Sequence, residues 1–96
     1  MPAYAIMIRD KMRDADAFAE YGALARAARP AEGMAALAFY GASETLEGPA
    51  ADGTVILRFD TMAAAKAWYD SPAYAAARQM RHQAADYRVI LVEGIE

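Results

Sequence analysis

One histidine, ten lysines and arginines, six tyrosines, a single tryptophan and no cysteine set the chemistry open to this chain. His82 stands four residues from both Arg78 and Asp86. At helical spacing that makes it either a general base oriented by Asp86 or an axial haem ligand. The simpler reading is a solvated side chain on the polar face of a helix. Arg9 and Arg58 sit on apolar strand stretches beside Met7 and Ile56. A guanidinium on an apolar face needs a counter-charge. That charge is either an anionic ligand, such as a carboxylate or an enolate, or a structural carboxylate such as Glu44 or Glu93. Tyr4 and Tyr40 can present hydroxyls at the rim of a greasy cavity. Trp68, with Tyr69 and Tyr74, forms an aromatic motif that serves as a cavity wall or as packing. Tyr4, Arg9, Tyr40, Arg58, Trp68 and His82 are therefore the candidate ligand-binding residues.

Much familiar chemistry is excluded. Without cysteine there are no disulfides, no zinc–thiolate sites and no thiol nucleophile. Ser43 and Ser71 have no histidine near them in sequence, and the carboxylates lack metal-ligand spacing, so no metal site is expected. No glycine-rich phosphate loop is present. No cofactor is expected, because haem would rest on His82 alone.

These residues must be carried by short elements. Tyr4 to Arg9 reads as a first strand. Asp14 can cap a helix carrying Phe18, Tyr21, Ala25 and Ala28 on one stripe, ended by Pro30 and Gly33. Ala35 to Tyr40 reads as a second strand, with room to continue past Gly41 into Thr45 and Leu46 as a bulged strand. Thr54 to Phe59 is the clearest strand. Thr61 caps a helix bearing Met62, Ala65, Trp68 and Tyr69. Ser71 and Pro72 restart helix, as cap and first residue, to about Asp86. The stripe Ala73, Ala77, Met80, Ala84 and Tyr87 is expected inward, with Arg81 at its border and paired to Glu93 or Glu47. Arg88 to Glu93 is the last strand.

The order is βαββαβ, the ferredoxin-like α+β arrangement. It is a four-stranded antiparallel sheet with helices on one face and the first and third strands central. At 96 residues it makes a single domain, residues 1–96. Val55, Leu57 and Phe59 alternate with Thr54, Ile56 and Arg58. Ile6 and Ile8 oppose Ala5 and Met7, and Ile90 and Val92 oppose Val89 and Leu91. Both faces of the sheet are therefore oily, yet the helices cover one. A homodimer with two sheets face to face hides the other and encloses an apolar cavity between them; edge-to-edge pairing is another geometry.

The net charge of −3 argues against nucleic acid. The longest apolar stretch, Met34 to Ala42, is far below the roughly 20 residues of a membrane helix. Charge follows rather than precedes the first apolar residues, so no secretory signal is expected, and a cytoplasmic location fits.

The stretch from Phe59 through Trp68-Tyr69-Asp70-Ser71-Pro72-Ala73-Tyr74 resembles the family catalogued as domain of unknown function 1330. So do Arg81, Ala84-Ala85-Asp86, Arg88 and Val92-Glu93-Gly94. Leu46-Glu47-Gly48 looks like that family's turn, and Tyr4 with Asp14 fits its start. Ala28 to Ser43 departs from the pattern. The family is similar to the dimeric α+β barrels, in which two sheets face each other. That superfamily holds cofactor-free monooxygenases, isomerases, haem enzymes and proteins without known chemistry. The resemblance implies a homodimer and a small apolar or anionic ligand, with a cofactor-free oxygenase or isomerase acting on a small aromatic or enolic substrate as one alternative and a structural dimer without ligand as another. It implies no particular reaction.

Overall fold

The computed structural model describes residues 1–95. Its elements are β1 (Ala3–Met12), α1 (Ala15–Ala27), β2 (Met34–Phe39), β3 (Gly53–Phe59), α2 (Met62–Asp70), α3 (Pro72–Ala84) and β4 (Ala85–Glu93). The strands form one antiparallel sheet in the order β2-β3-β1-β4. This is the ferredoxin-like α+β fold, its second helix divided into α2 and α3 at Ser71-Pro72.

Local chemistry explains where the helices begin. Asp14 accepts hydrogen bonds from the backbone amides of Asp16 and Ala17 at 3.1 Å each. Thr61 Oγ1 accepts from the amide of Ala64. Ser71 Oγ accepts from the amide of Tyr74 while donating to the carbonyl of Trp68 at 2.8 Å. One hydroxyl thus closes α2 and opens α3, satisfying end groups that the helices cannot satisfy internally.

Alternation then sorts the strand residues. Ala3, Ala5 and Met7 of β1 and Val55, Leu57 and Phe59 of β3 are buried against the helices. They meet Tyr21, Ala65, Trp68, Tyr74 and Ala77, with Tyr74 and Phe59 the largest fully buried side chains. Tyr4, Ile6, Ile8, Ile56 and Arg58 point the other way and are only half-buried. Ile6 lies opposite both Ile56 and Ile90 in the ladder, so their side chains share the open face. On that face Ile90 and Val92 are 49% and 44% exposed.

The structure differs from the sequence reading in three respects. First, β1 runs on to Met12, past a register shift between Arg9 and Lys11, and pairs Lys11 with Asp86 and Met12 with Ala85. This extension supplies ladder partners to Ala85 and Asp86, and Tyr87 pairs with Arg9. Consequently α3 stops at Ala84 instead of about Asp86, and β4 starts at Ala85 instead of Arg88. Second, β2 does not continue past Gly41. Residues 41–52 hold no strand and are exposed up to Ala50. The irregularity lies within β2, between Ala36 and Ala38. Third, the inward stripe of α3 is Tyr74, Ala77, Arg81 and Ala84, and Ala73 is exposed. The restart at Ser71-Pro72 turns the helix so that Tyr74 and Arg81 face the sheet.

Candidate functional site

Small residues on facing elements leave space between α1 and the sheet. Ala19, Gly22 and Ala25 of α1 look across at Ala36 of β2, and none reaches far enough to fill the gap. The result is a cavity of about 670 Å³. Its floor is Met7, Val55 and Leu57. Phe18, Phe39 and Tyr40 stand at its sides, and Tyr21, Trp68 and Tyr74 close its inner end. The size and the apolar, aromatic walls are those of a small-molecule site.

Polar groups are few: Arg26 and Arg29 are the charged residues of the lining, and the rest are tyrosine hydroxyls. The hydroxyls of Tyr21 and Tyr74 lie 2.9 Å apart in the buried wall. The ring centroids of Trp68 and Tyr74 are 4.1 Å apart, and Phe59 lies 5.2 Å from Trp68. Nearer the mouth, the Tyr40 hydroxyl is hydrogen-bonded to that of Tyr87. Arg9 lies behind this pair, with Cζ 4.8 Å from the Tyr40 ring centroid and 4.9 Å from that of Phe18. Cation–π contact therefore fixes both cavity-wall rings. The Arg9 charge is answered by Asp52: Nε donates to Oδ2 at 3.1 Å and Nη2 donates to the carbonyl at 3.2 Å.

Burial is the main reason the hydroxyls of Tyr21, Tyr40, Tyr74 and Tyr87 titrate above the ordinary tyrosine range. Arg9 partly offsets it at Tyr40 and Tyr87, and Arg81 at Tyr74. At neutral pH these tyrosines are neutral. Within each bonded pair one hydroxyl proton is already donated, so each pair has one left for a carbonyl, phenol or enolate oxygen, and none acts as an anionic base.

The structure separates the sequence candidates. Tyr40 and Trp68 line the cavity, and Arg9 braces it. Tyr4 and Arg58 lie on the opposite, open face of the sheet. Arg58 has the structural answer: its Nη1 is 3.5 Å from Asp60 Oδ1, a carboxylate two residues away that neither Glu44 nor Glu93 replaces. Arg9 and Arg58 thus never share one pocket. His82 is exposed on α3, and the pairing with Asp86 fails because Asp86 belongs to β4 and is bound by Arg13. Arg81 has neither Glu93 nor Glu47 as partner; it is 3% exposed and lies over the Tyr87 ring.

Phe18 and Tyr21 were legible only as a helix stripe, and Tyr74 only as part of a motif. Their convergence depends on how far α1 stands off the sheet, and spacing along one helix carries no record of that distance. Among the described residues no group of three or more His, Cys, Asp or Glu side chains is placed to hold a metal ion. Among the described residues no helix is long and apolar enough to cross a membrane.

Comparison with solved structures finds the same fold at low identity. A protein of unknown function from Rhodopseudomonas palustris is 23% identical over 99% of this chain and 83% of its own, with a TM-score of 0.72. A dimeric ferredoxin-like protein of unknown function from Thermobifida fusca is 19% identical over 96% of this chain and 90% of its own, with a TM-score of 0.64. SnoaB, a cofactor-independent oxygenase from Streptomyces nogalater, is 11% identical over 99% of this chain and 93% of its own, with a TM-score of 0.56. No curated protein matches the chain. A family model, domain of unknown function DUF1330, matches residues 2–95, and the chain belongs to that family.

Proposed function

We propose that this DUF1330 chain is a homodimeric small-molecule-binding protein. Each protomer holds one small, flat, largely apolar molecule with an oxygen function in the space beneath α1. The carrying observation is the 670 Å³ aromatic cavity with the Tyr21 and Tyr74 hydroxyls in its wall. Apolar walls reward burial of a ring system, and a few hydroxyls set its orientation. The ligand site lies on the helix side of the sheet rather than between two facing sheets. The open face, with Ile6, Ile56, Ile90 and Val92, is then left for the partner copy. The dimeric Thermobifida fusca protein of the same fold supports that assembly.

Naphthoquinone is a suitable probe because it is flat, quenches indole fluorescence, and finds no cysteine to alkylate. Trp68 is the single tryptophan, is 8% exposed and lines the cavity. Saturable quenching at one probe per chain is expected, with Ala36→Leu abolishing it by filling the space. Quenching no stronger than that of free tryptophan amide, or undiminished in Ala36→Leu, rules the reading out.

A second reading, a cofactor-free oxygenase or isomerase acting on a small aromatic or enolic substrate, draws support from the SnoaB likeness. Neutral tyrosine donors are suited to an enolate oxygen. No general base adjoins them among the described residues, so binding is the reading preferred. Oxygen uptake with a hydroxynaphthalene probe that is lost in Tyr21→Phe would reverse that preference.

A further inference from the structure

On the far side of the tyrosine wall, α2, α3 and β4 enclose a second space, an open groove of about 470 Å³. Tyr69, Arg81, His82, Asp86, Tyr87 and Val89 are among its lining residues. Arg81 is its unusual member. The residue is 3% exposed, and its Nε has no hydrogen-bond partner. Among the described residues the ion pairs join Arg9, Arg13, Arg58 and Arg88 to aspartates, and no carboxylate reaches Arg81. Its guanidinium meets only neutral groups, the Tyr74 hydroxyl by a hydrogen bond and the Tyr87 ring, whose centroid lies 5.1 Å from Cζ. A buried guanidinium without a counter-charge is costly to maintain, and a fold that keeps one is expected to present it to an anion.

The surroundings favour the same occupant. Asp86, the carboxylate in the groove, is already neutralised by Arg13, which also donates to the carbonyl of His82. Arg78 adds positive charge nearby: its Nη1 donates to the Tyr69 carbonyl at 3.1 Å, and its Cζ lies 4.5 Å from the Tyr69 ring centroid. The imidazole of His82 titrates below its ordinary range, through partial burial and then the charges of Arg81 and Arg78. Val89 and the Tyr87 ring supply an apolar wall beside the cation.

We propose that this groove is a site for a small organic carboxylate, with the carboxylate paired to the Arg81 guanidinium and the organic part against Tyr87 and Val89. A planar carboxylate matches the fork of an arginine better than a single point charge does. The site is separate from the cavity under α1, and the two are walled apart by the tyrosines.

His82 is the single histidine, so its ring proton is a clean NMR reporter. Around it stand Arg78 and Arg81 of α3, Asp86 and Tyr87 of β4, Tyr69 of α2, and Arg13 of the turn between β1 and α1. Benzoate is the probe and neutral benzamide the control. Benzoate is expected to raise the titration midpoint of His82, because an added negative charge favours the imidazolium. By reciprocity, benzoate binds more tightly as pH falls through that midpoint. Benzamide is expected to leave the midpoint unmoved. Arg81→Met is expected to weaken benzoate binding by roughly tenfold or more, the loss of a charge-assisted pair. It should stay folded, because it exchanges an unpaired buried cation for an apolar chain; Arg81→Gln provides the same comparison if it does not. An unmoved His82 midpoint, equal binding of benzamide, or full benzoate affinity in both Arg81 variants overturns the proposal.

Discussion

Tyr40 holds its ring at the cavity mouth from a left-handed backbone, with φ at 53°. For a residue with a bulky side chain that conformation costs about 1–3 kcal/mol. The ring's place between Arg9, Phe18 and Tyr87 offsets the strain. Gly53 completes the arrangement, because a Cβ there would fall 2.8 Å from Tyr40 Cδ1 and 3.1 Å from Arg9 Nη2. Gly53→Ala should therefore lower stability by about 1–3 kcal/mol and weaken naphthoquinone binding, as urea denaturation and Trp68 quenching will report. Tyr21→Phe should cost about 1 kcal/mol by removing the Tyr21–Tyr74 hydroxyl bond in a buried wall, with Arg81 remaining as a partner of the Tyr74 hydroxyl. The raised tyrosine titrations also fix a pH dependence. Above the unperturbed value of 10.0 the unfolded chain releases phenolic protons that the folded chain retains. Stability is then fully present below about pH 10 and falls as pH rises beyond it. Denaturation midpoints across that range test the sign, since a flat or rising profile contradicts it. Tyr40 was legible as a candidate because a tyrosine in an apolar strand needs a use for its hydroxyl. Its backbone strain and its dependence on Gly53 were not, since both arise from strands brought together by folding.

Helix starts were the most legible elements, because a cap is a local event. Asp14, Thr61 and Ser71 each accept from an amide two or three residues ahead, as their types and positions require. Ser71→Ala should cost about 1–2 kcal/mol, at the upper end of cap losses, because the same hydroxyl also serves the Trp68 carbonyl. A thermal melt accompanied by reduced near-ultraviolet signal from Trp68 is the expected outcome. An unchanged melt would mean that α2 and α3 are joined by packing alone. The start of β4 was harder to read. Ala85 to Tyr87 continue a helical pattern, and the extension of β1 to Met12 draws Ala85 and Asp86 into the sheet. The inward turn of Arg81 escaped for a related reason. Its place at the border of the stripe suggested a carboxylate partner, and its full burial over the Tyr87 ring depends on neighbours across the interface that spacing does not record.

At the scale of the molecule, the order of elements with right-handed crossovers foretold the sheet order, strand alternation foretold its two oily faces, and both are found. The position of the cavity was not foretold. Alanine in β2 reads as weak strand, and its second meaning, missing volume opposite Gly22 and Ala25, emerges only when α1 lies across it. The open face carries a clear expectation for assembly. Ile90→Asp should turn a dimer into a monomer in sedimentation velocity while the far-ultraviolet spectrum is retained, because Ile90 is already half exposed and buries little within its own chain. Dimers persisting in that variant would locate the interface elsewhere. The protomer is a slab of 34 × 33 × 17 Å, thin because a single helical layer backs a single sheet. Joining two such slabs by their bare undersides places both helical layers outermost, with two sheets between the two cavities. Neither occupant could sense the other. Filling should follow one hyperbola without cooperativity, and a mixed dimer with one blocked protomer should keep half its capacity at unaltered affinity.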